Sequence, residues 1–104
     1  MALSEDFSER VLSLVERIPA GRVLPYGVIA GLLDEGGPRQ VGHVMAMDGG
    51  GVPWWRVVRA DGSLPRCHLG QAQEHYRNEE TPMRPGGHAV DIGQALWDGP
   101  YSGT

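Results

Sequence analysis

The sequence contains no lysine and only one cysteine among its 104 residues. The single cysteine, Cys67, excludes an internal disulfide and any metal site that needs several cysteines. The four histidines lack the paired spacing of zinc ligands, so we expect no metal and no other cofactor. No apolar run approaches the length of a membrane span, and the first residues lack a basic-then-apolar signal pattern. We therefore expect a cytoplasmic protein with no membrane partner.

Length and composition are typical of one small globular domain. A chain of 104 residues with 40% hydrophobic residues can form a modest core, and 16 Gly with 8 Pro predict many turns. We expect a single domain over residues 1–104, with its core in about residues 5–80 and a loop and tail in residues 81–104. The sequence pattern indicates no surface for self-association, so we expect a monomer.

Charge is distributed unevenly along the chain. The net charge of −4 argues weakly against a nucleic-acid partner, but six of the nine arginines lie in residues 17–66 against four acidic residues. That stretch is net positive, while the other acidic residues gather towards the two ends. Arginine without lysine suits bidentate and stacking contacts, although a GC-rich genome would produce the same bias.

Three helices are predicted in the first half of the chain. Apolar residues recur at helical spacing over residues 7–18, with Asp6 and Glu9 as a capping pair at the start. Shorter helices are predicted over residues 26–33 and 39–47, joined by a tight turn that contains glycine. Such a pair is a candidate helix-turn-helix.

The second half of the chain contains the one predicted strand. Residues 55–59 favour a strand and residues 60–63 a turn, which together resemble the wing that follows many helix-turn-helix pairs. Strand alternation would place Trp54 and Trp55 on opposite faces. A polar helix over residues 71–80, a loop over 81–88 and a short helix or strand over 90–97 complete the pattern. The predicted fold class is mainly α with a short β element.

Three groups of residues stand in a characteristic order and spacing: Ile18-Pro19-x-Gly21-x-Val23-x-x-Tyr26-Gly27-x-Ile29-Ala30, then Arg39-x-Val41-Gly42, then Pro53-Trp54-Trp55-Arg56-Val57-Val58 with Asp61-Gly62. The combination resembles the DNA-binding domain of the O6-alkylguanine-DNA alkyltransferases, and more closely the alkyltransferase-like proteins. The resemblance spans roughly residues 7–80. It implies a winged helix-turn-helix-like fold and duplex DNA containing O6-alkylguanine as the partner.

The repair enzymes of this family carry Pro-Cys-His-Arg-Val where this chain has Pro53 to Val57. Their cysteine accepts the alkyl group and is activated by the histidine and a glutamate. Here Trp54 stands at the position of the nucleophile and Trp55 at that of the base, and an indole can perform neither role. The resemblance therefore implies a protein that binds the lesion without catalysing alkyl transfer.

The same resemblance assigns the contact residues. The third helix would enter the minor groove, and the extruded nucleotide would be replaced by Arg39 and turned out by Tyr26. The implied DNA-binding residues are Tyr26, Gly27, Arg39, Gln40, Val41 and Gly42, with backbone amides around Gln40 and Val41 holding phosphates. The implied lesion pocket comprises Tyr26, Pro53, Trp54, Trp55, Arg56, Val57 and Arg66.

Each assignment has a structural alternative. Arg39 could be an ordinary solvated residue, and Tyr26 could brace the helix pair. Trp55 could belong to the core or form a second pocket wall. Gly42 could allow close approach to DNA or only permit helix packing. The resemblance assigns Arg56 a largely structural role.

Two positions depart from the family pattern. Pro25 stands where a hydroxyl residue usually caps the second helix, so a cap is lost while a fixed φ is gained. Asp48 stands about where the repair enzymes have asparagine, and an acidic group there would weaken the approach of phosphate.

Three functions follow, in this order of preference. The first is a non-enzymatic sensor that binds O6-alkylguanine and passes it to nucleotide excision repair proteins. The second is a winged-helix transcription regulator that reads the major groove, for which Gln40, His43 and Met47 supply few base-reading groups. The third is an enzyme that uses Cys67 with His68 or His75, which is disfavoured because neighbours on an extended segment point to opposite faces.

Overall fold

The computed structural model describes residues 6–64 and 66–100, with only the backbone described for Arg66 and Cys67. Five α-helices and two short strands follow in this part of the chain as α1 (Phe7–Arg17), β1 (Leu24–Pro25), α2 (Tyr26–Leu33), α3 (Pro38–Asp48), β2 (Val57–Val58), α4 (Arg66–Glu79) and α5 (Ile92–Ala95). Two 3₁₀ turns, Gly49–Gly51 and Trp54–Arg56, connect α3 to β2. The predicted fold class is confirmed. Within the described ranges, no helix is both long enough and apolar enough to span a membrane.

The apolar stripe of α1 is buried, as its spacing predicts, and the four helix residues that form it are Phe7, Val11, Leu14 and Val15. The predicted capping pair is wrong, because the Asp6 side chain makes no capping hydrogen bond among the described residues. Its backbone, at φ −95° and ψ 10°, is not in the extended conformation that a side-chain cap requires. The Asp6 carbonyl instead accepts a hydrogen bond from the Arg10 amide at 2.9 Å.

The predicted helix pair is confirmed as α2 and α3. Helix α2 ends at Asp34, whose φ of 54° is left-handed and reverses the chain. Helix α3 begins at Pro38, since proline has no amide that needs a partner in the first turn. The Gln40 side chain accepts a hydrogen bond from the Gly37 amide at 3.0 Å, which fixes this start.

The predicted strand over residues 55–59 is wrong in its extent. Val57 and Val58 are the paired strand residues, and they pair in parallel with Leu24 and Pro25. The expected turn is present, since the Gly62 amide donates to the Arg59 carbonyl at 2.8 Å. After that turn the chain continues to α4 instead of returning as a second strand.

The small sheet separates two hydrophobic clusters. Leu24 and Val57 face the first cluster, which fills the space between α1, α2 and α3. Val23 and Val58 face the second cluster, where they meet Ala72 and Tyr76 of α4, Val90 and Ala95. Because neighbouring strand residues point in opposite directions, two adjacent valines are enough to join the two clusters. This arrangement holds the turn that carries the tryptophan pair beside α4.

Helix α4 begins at Arg66, earlier than the predicted start at Gln71. Its first turns have no apolar periodicity, and the buried side chains that attach it to the body, Ala72 and Tyr76, come later. The backbone of Cys67 is therefore helical, and the extended geometry expected for the Cys67-His68 pair is wrong.

The C-terminal segment packs on the body of the protein. The Val23 amide donates to the Ala95 carbonyl and the Trp97 amide donates to the Val23 carbonyl, each at 3.0 Å. Residues 90–97 thus form the short helix α5 followed by a bridge between Leu96 and Val23.

Gly62 is a position at which the fold requires glycine. Its φ is +87°, and an added Cβ would lie 2.2 Å from the Val90 carbonyl oxygen. We expect Gly62→Ala to lower the free energy of unfolding by about 3 kcal/mol, because left-handed strain adds to a clash with backbone. Urea denaturation followed by circular dichroism measures this loss.

Gly86→Ala is the matched control, since Gly86 has a φ of +92° but no heavy atom of the described residues within 4 Å of an added Cβ. We expect it to lose about 1 kcal/mol, from strain alone. Equal losses in the two variants would contradict the role of the Val90 contact.

Candidate nucleic-acid interface

A cleft of about 310 Å³ opens beside α3, within the range of roughly 300–1,000 Å³ that is usual for small-ligand sites. It is lined by Tyr26, Gly42, Met45, Ala46, Gly49, Gly50, Trp54, Leu64, His68 and Gln71. Most of this lining is apolar or aromatic. The polar groups are those of Tyr26, His68 and Gln71. The cleft therefore suits a flat, largely aromatic ligand with a hydrogen-bonding edge.

Tyr26 lines the cleft from the first position of α2 and is half-buried. Burial raises the pKa of its phenol, and the nearby positive charge of Arg59 only partly opposes this. The hydroxyl is therefore protonated at neutral pH and can donate a hydrogen bond. Pro25 precedes it with φ −67° and provides no side-chain cap for the first backbone amides of α2.

Trp54 forms the aromatic wall of the cleft. Its ring lies 5.6 Å from the Trp55 ring in an edge-to-face arrangement, with 86° between the planes. The His68 ring lies 5.6 Å away on one side and the His75 ring 6.0 Å away on another. These contacts fix the indole plane before any ligand arrives.

Trp55 does not line the cleft. Its ring stacks on His75 with 3.5 Å between centroids and 3° between planes, and its indole N–H donates to Glu79 at 2.9 Å. Tyr76 donates its hydroxyl to the Trp55 carbonyl at 2.5 Å. The expectation that the two tryptophans face opposite sides is wrong, because they lie in a 3₁₀ turn and both pack against the second cluster.

Arg56 and Glu79 form a half-buried ion pair behind the tryptophans, with side-chain exposures of 17% and 11%. The Arg56 guanidinium donates to both carboxylate oxygens and also to the Ile18 carbonyl at 2.8 Å. Glu79 accepts a further hydrogen bond from the Gly21 amide at 3.1 Å. One carboxylate thus holds together the end of α1, the tryptophan turn and the end of α4.

Opposing effects set the pKa of Glu79. Burial acts to raise it, but hydrogen bonds from Arg56, Trp55 and the Gly21 amide, together with the charge of Arg56, outweigh burial. The pKa therefore lies below the ordinary value of 4.5, and Glu79 is ionised at neutral pH.

The N-terminal half of α3 contains four of the residues predicted to contact DNA. Arg39 and Gln40 are exposed, whereas Val41 is fully buried and its side chain belongs to the first cluster. The Val41 amide donates to the Gly37 carbonyl at 3.1 Å, so the expectation that it holds a phosphate is wrong. The phosphate contact expected of the Gln40 amide stays a prediction.

Gly42 lies on the open side of α3 and lines the cleft. An added Cβ would have no heavy atom of the described residues within 4 Å, so Gly42 is not needed for packing between these helices. Gly27 is exposed on α2, where an added Cβ would lie 4.0 Å from Pro38. The packing alternative for Gly42 is therefore wrong. Close approach of this position to DNA stays a prediction.

The cleft brings together two of the residues predicted to form a lesion pocket, Tyr26 and Trp54. The predicted pocket residues that do not line it are Pro53, Trp55, Arg56 and Val57. Val57 is buried in the first cluster, and Arg56 is committed to Glu79. The prediction for Arg66 falls on a side chain outside the described residues.

Several residues of the site do not stand out in the sequence. Glu79 belongs to an acidic pair near the end of a polar helix, and nothing local marks it as the partner of Arg56. His68 and Gln71 are three residues apart and share a face of α4. The sequence pattern does not show this relation, because it predicts that the helix starts at Gln71, after His68. Among the described side chains, no group of three or more His, Cys, Asp or Glu is placed to hold a metal ion.

Comparison with known sequences gives one family and two relatives. The sequence profile described as 6-O-methylguanine DNA methyltransferase, DNA binding domain, matches residues 6–81. Two curated relatives, each called a DNA base-flipping protein, come from Escherichia coli (strain K12) and Shigella flexneri. Each is 35% identical over 105 residues, which covers 94% of this chain and 79% of the relative.

Two solved structures have a similar fold. One is S. pombe Atl1 in complex with damaged DNA containing O6-carboxymethylguanine, with a TM-score of 0.79 and 23% identity. The other is S. pombe ATL in complex with DNA, with a TM-score of 0.72 and 26% identity. In both cases the match covers 93% of this chain and 98% of the other. The predicted DNA-binding fold of the alkyltransferase-like proteins is therefore confirmed.

The Glu79 carboxylate is expected to contribute strongly to stability. Glu79→Gln keeps the shape of the side chain but leaves the half-buried Arg56 without its counter-charge. We expect the free energy of unfolding at neutral pH to fall by about 2–3 kcal/mol. Glu74→Gln, an exposed change of equal charge on the same helix, should stay within about 0.5 kcal/mol of wild type.

The stability lost in Glu79→Gln should be smaller at acidic pH than at neutral pH. Because the folded-state pKa of Glu79 lies below 4.5, its contribution is present above that value and is lost as the pH falls through the folded-state pKa. The stability difference between wild type and Glu79→Gln should therefore shrink as the pH is lowered from about 7 to about 3. If urea melts gave the same stability difference at every pH in this range, the stabilising role of the Arg56–Glu79 ion pair would be contradicted.

Proposed function

The chain belongs to the family of the 6-O-methylguanine DNA methyltransferase DNA-binding domain, among its alkyltransferase-like members, and we propose that it recognises O6-alkylguanine in DNA without repairing it. The observation that carries this proposal is Trp54. It stands at the position of the family's reactive cysteine and forms a wall of the cleft beside α3. An indole there can pack against a base but cannot accept an alkyl group by displacement.

The neighbouring position supports the same conclusion. Trp55 stands where the repair enzymes have their histidine base, and its N–H donates to Glu79. Glu79 is therefore bound by an indole, which has no basic nitrogen with which to take a proton from a nucleophile. The geometry that would activate a thiol is replaced by a fixed hydrogen bond that stabilises the fold.

Recognition would proceed by extrusion of the base. Turning a nucleotide out of a duplex costs a few kcal/mol of stacking and pairing, so one group must fill the gap and another must hold the base. Arg39 is exposed in the first turn of α3 and is suited to fill the gap. The cleft between Tyr26 and Trp54 is suited to hold the base, with the indole face against the ring system.

We assign the minor groove to α3, since its cleft-facing side carries Gly42, where backbone can approach DNA closely. Tyr26, at the edge of the cleft, would press on the neighbouring phosphate as the nucleotide turns. The relatives are consistent with this sequence of events, because two are named for base flipping and one solved neighbour holds DNA with an O6-alkylated guanine.

A protein that holds a lesion without removing it needs a partner that excises it. We propose that the chain acts as a monomer and that nucleotide excision repair proteins take over the site. A reconstituted incision assay tests this transfer: incision near the lesion should rise when the protein is added, and unchanged incision would contradict the transfer.

The alternative of a major-groove regulator has less support. Of the three residues that could read bases, Gln40 already uses its side-chain oxygen to accept the Gly37 amide. Met47 is 68% exposed but has no hydrogen-bonding group for a base edge. Protection of a palindromic sequence free of lesions in a footprint would favour this alternative.

A binding titration tests the proposal directly. Fluorescence anisotropy with a duplex that carries one O6-methylguanine should give tighter binding than the same duplex with guanine. Arg39→Ala should weaken binding to the modified duplex about tenfold, because the gap in the stack is no longer filled. A labelled methyl group should remain on the DNA throughout.

Arg84→Ala is the control, because it removes the same charge from an exposed loop residue. We expect it to weaken binding only slightly, through general electrostatics. Equal affinity for modified and plain duplex would contradict lesion recognition, and transfer of the label to the protein would contradict the non-enzymatic assignment.

Gly42→Ala separates the effect on folding from the effect on DNA binding. Because a Cβ has space at this helical position, we expect the variant to be as stable as wild type or up to about 1 kcal/mol more stable. Its affinity for the modified duplex should nevertheless fall about tenfold, since the added methyl group keeps α3 away from the DNA backbone.

Gly31→Ala is the matched control. Gly31 is a helical glycine of α2 with the same open surroundings, and it does not line the cleft. It should gain similar stability in a thermal melt and keep its affinity in the same titration. Unchanged affinity in Gly42→Ala would contradict the close approach of α3 to DNA.

A further inference from the structure

Helix α4 supplies the polar side of the cleft. His68 and Gln71, one helical turn apart, line it together with residues of α2, α3 and the tryptophan turn. The His68 ring lies 5.6 Å from the Trp54 ring and is tilted by 55° to it. A base packed on Trp54 would therefore have the imidazole within reach, since both rings border the same space.

The lesion differs from guanine at its hydrogen-bonding edge. Alkylation of O6 removes the proton from ring nitrogen N1, so N1 changes from a hydrogen-bond donor to an acceptor. Extruded bases are commonly read at this Watson–Crick edge. A site that presents hydrogen-bond donors at this edge would pair with N1 of the lesion. With guanine, the same donors would face the N1–H donor and make no hydrogen bond to it.

We propose, building on the function proposed above, that His68 in its protonated form reads this edge and so helps to distinguish O6-alkylguanine from guanine. Protonated imidazole carries two N–H donors and no acceptor, which suits the N1 of the lesion and not that of guanine. Histidine is the side chain that ordinarily changes charge between about pH 5 and 8. Lesion preference is then linked to pH through one residue.

Among the described side chains of the cleft, few besides His68 can gain or lose a proton. Among the described residues that line the cleft, the other titratable group is Tyr26, which burial keeps protonated, with Arg59 acting on it from outside the cleft. The lining residues of α3 and of the turn that follows it are uncharged. On α4, His75 contacts Trp54 but is stacked on Trp55.

The test compares lesion preference at several pH values. The dissociation constants for plain and for O6-methylguanine duplex are measured by fluorescence anisotropy from about pH 8 to about pH 6 at constant ionic strength. Their ratio cancels the general gain in DNA affinity that accompanies protonation of any surface histidine. We expect the preference to rise about tenfold as the pH falls in wild type and to stay flat in His68→Gln.

His88→Gln is the comparison variant, and it should keep the pH dependence of wild type. His88 is exposed in the loop after α4 and does not line the cleft. Using the same two duplexes for every variant removes any effect of pH on the DNA itself. Circular dichroism checks that each variant is folded.

The outcomes separate this proposal from the function on which it rests. A preference that rises with acidity equally in wild type and in His68→Gln, or a pH dependence that is lost in His88→Gln while His68→Gln retains it, overturns the role of His68. A preference that is present but independent of pH overturns it too, while the proposed function stands. Equal affinity for both duplexes at every pH overturns both.

Discussion

The hydrogen-bond network around Glu79 is the interaction on which the rest of the structure depends. One carboxylate accepts hydrogen bonds from Arg56, from the Trp55 indole and from the Gly21 amide, and Arg56 adds a bond to the Ile18 carbonyl. These partners belong to the end of α1, the tryptophan turn and α4. Because the pair is mostly shielded from water, loss of either charge would leave the other unsatisfied. The network thus fixes the turn that carries Trp54 and Trp55.

The two tryptophans have different roles, because the hydrogen-bond network around Glu79 includes the Trp55 indole and not the Trp54 indole. Trp55 is tied by its N–H to Glu79 and covered by His75, so it supports the fold. Trp54 is left with its ring on the cleft and is held edge-on by its neighbour. Trp54 thus shapes the cleft, and Trp55 holds the turn that carries Trp54.

The remaining parts of the cleft come from elements that are distant in sequence. Helix α2 brings Tyr26, α3 brings Gly42 and Met45, and α4 brings His68. The parallel pairing of β1 with β2 and the two clusters on either side of it set the distances between these elements. A largely apolar cleft beside an exposed helix face is suited to the recognition of an extruded base. Our proposals for the function and for His68 both depend on this arrangement.

The sequence by itself determined the properties that depend on local pattern and residue type. The apolar stripe from Phe7 to Val15 and the helix pair around Asp34 could both be predicted from it. The tertiary structure alone decided that Trp55 does not line the cleft, that Glu79 is the partner of Arg56, and that α4 begins early enough to bring His68 to the site. It also showed that the Val41 amide is committed within α3 and that Gly42 has open space around it. The reason is physical: these features arise from contacts between residues far apart in the chain, and no local spacing encodes them.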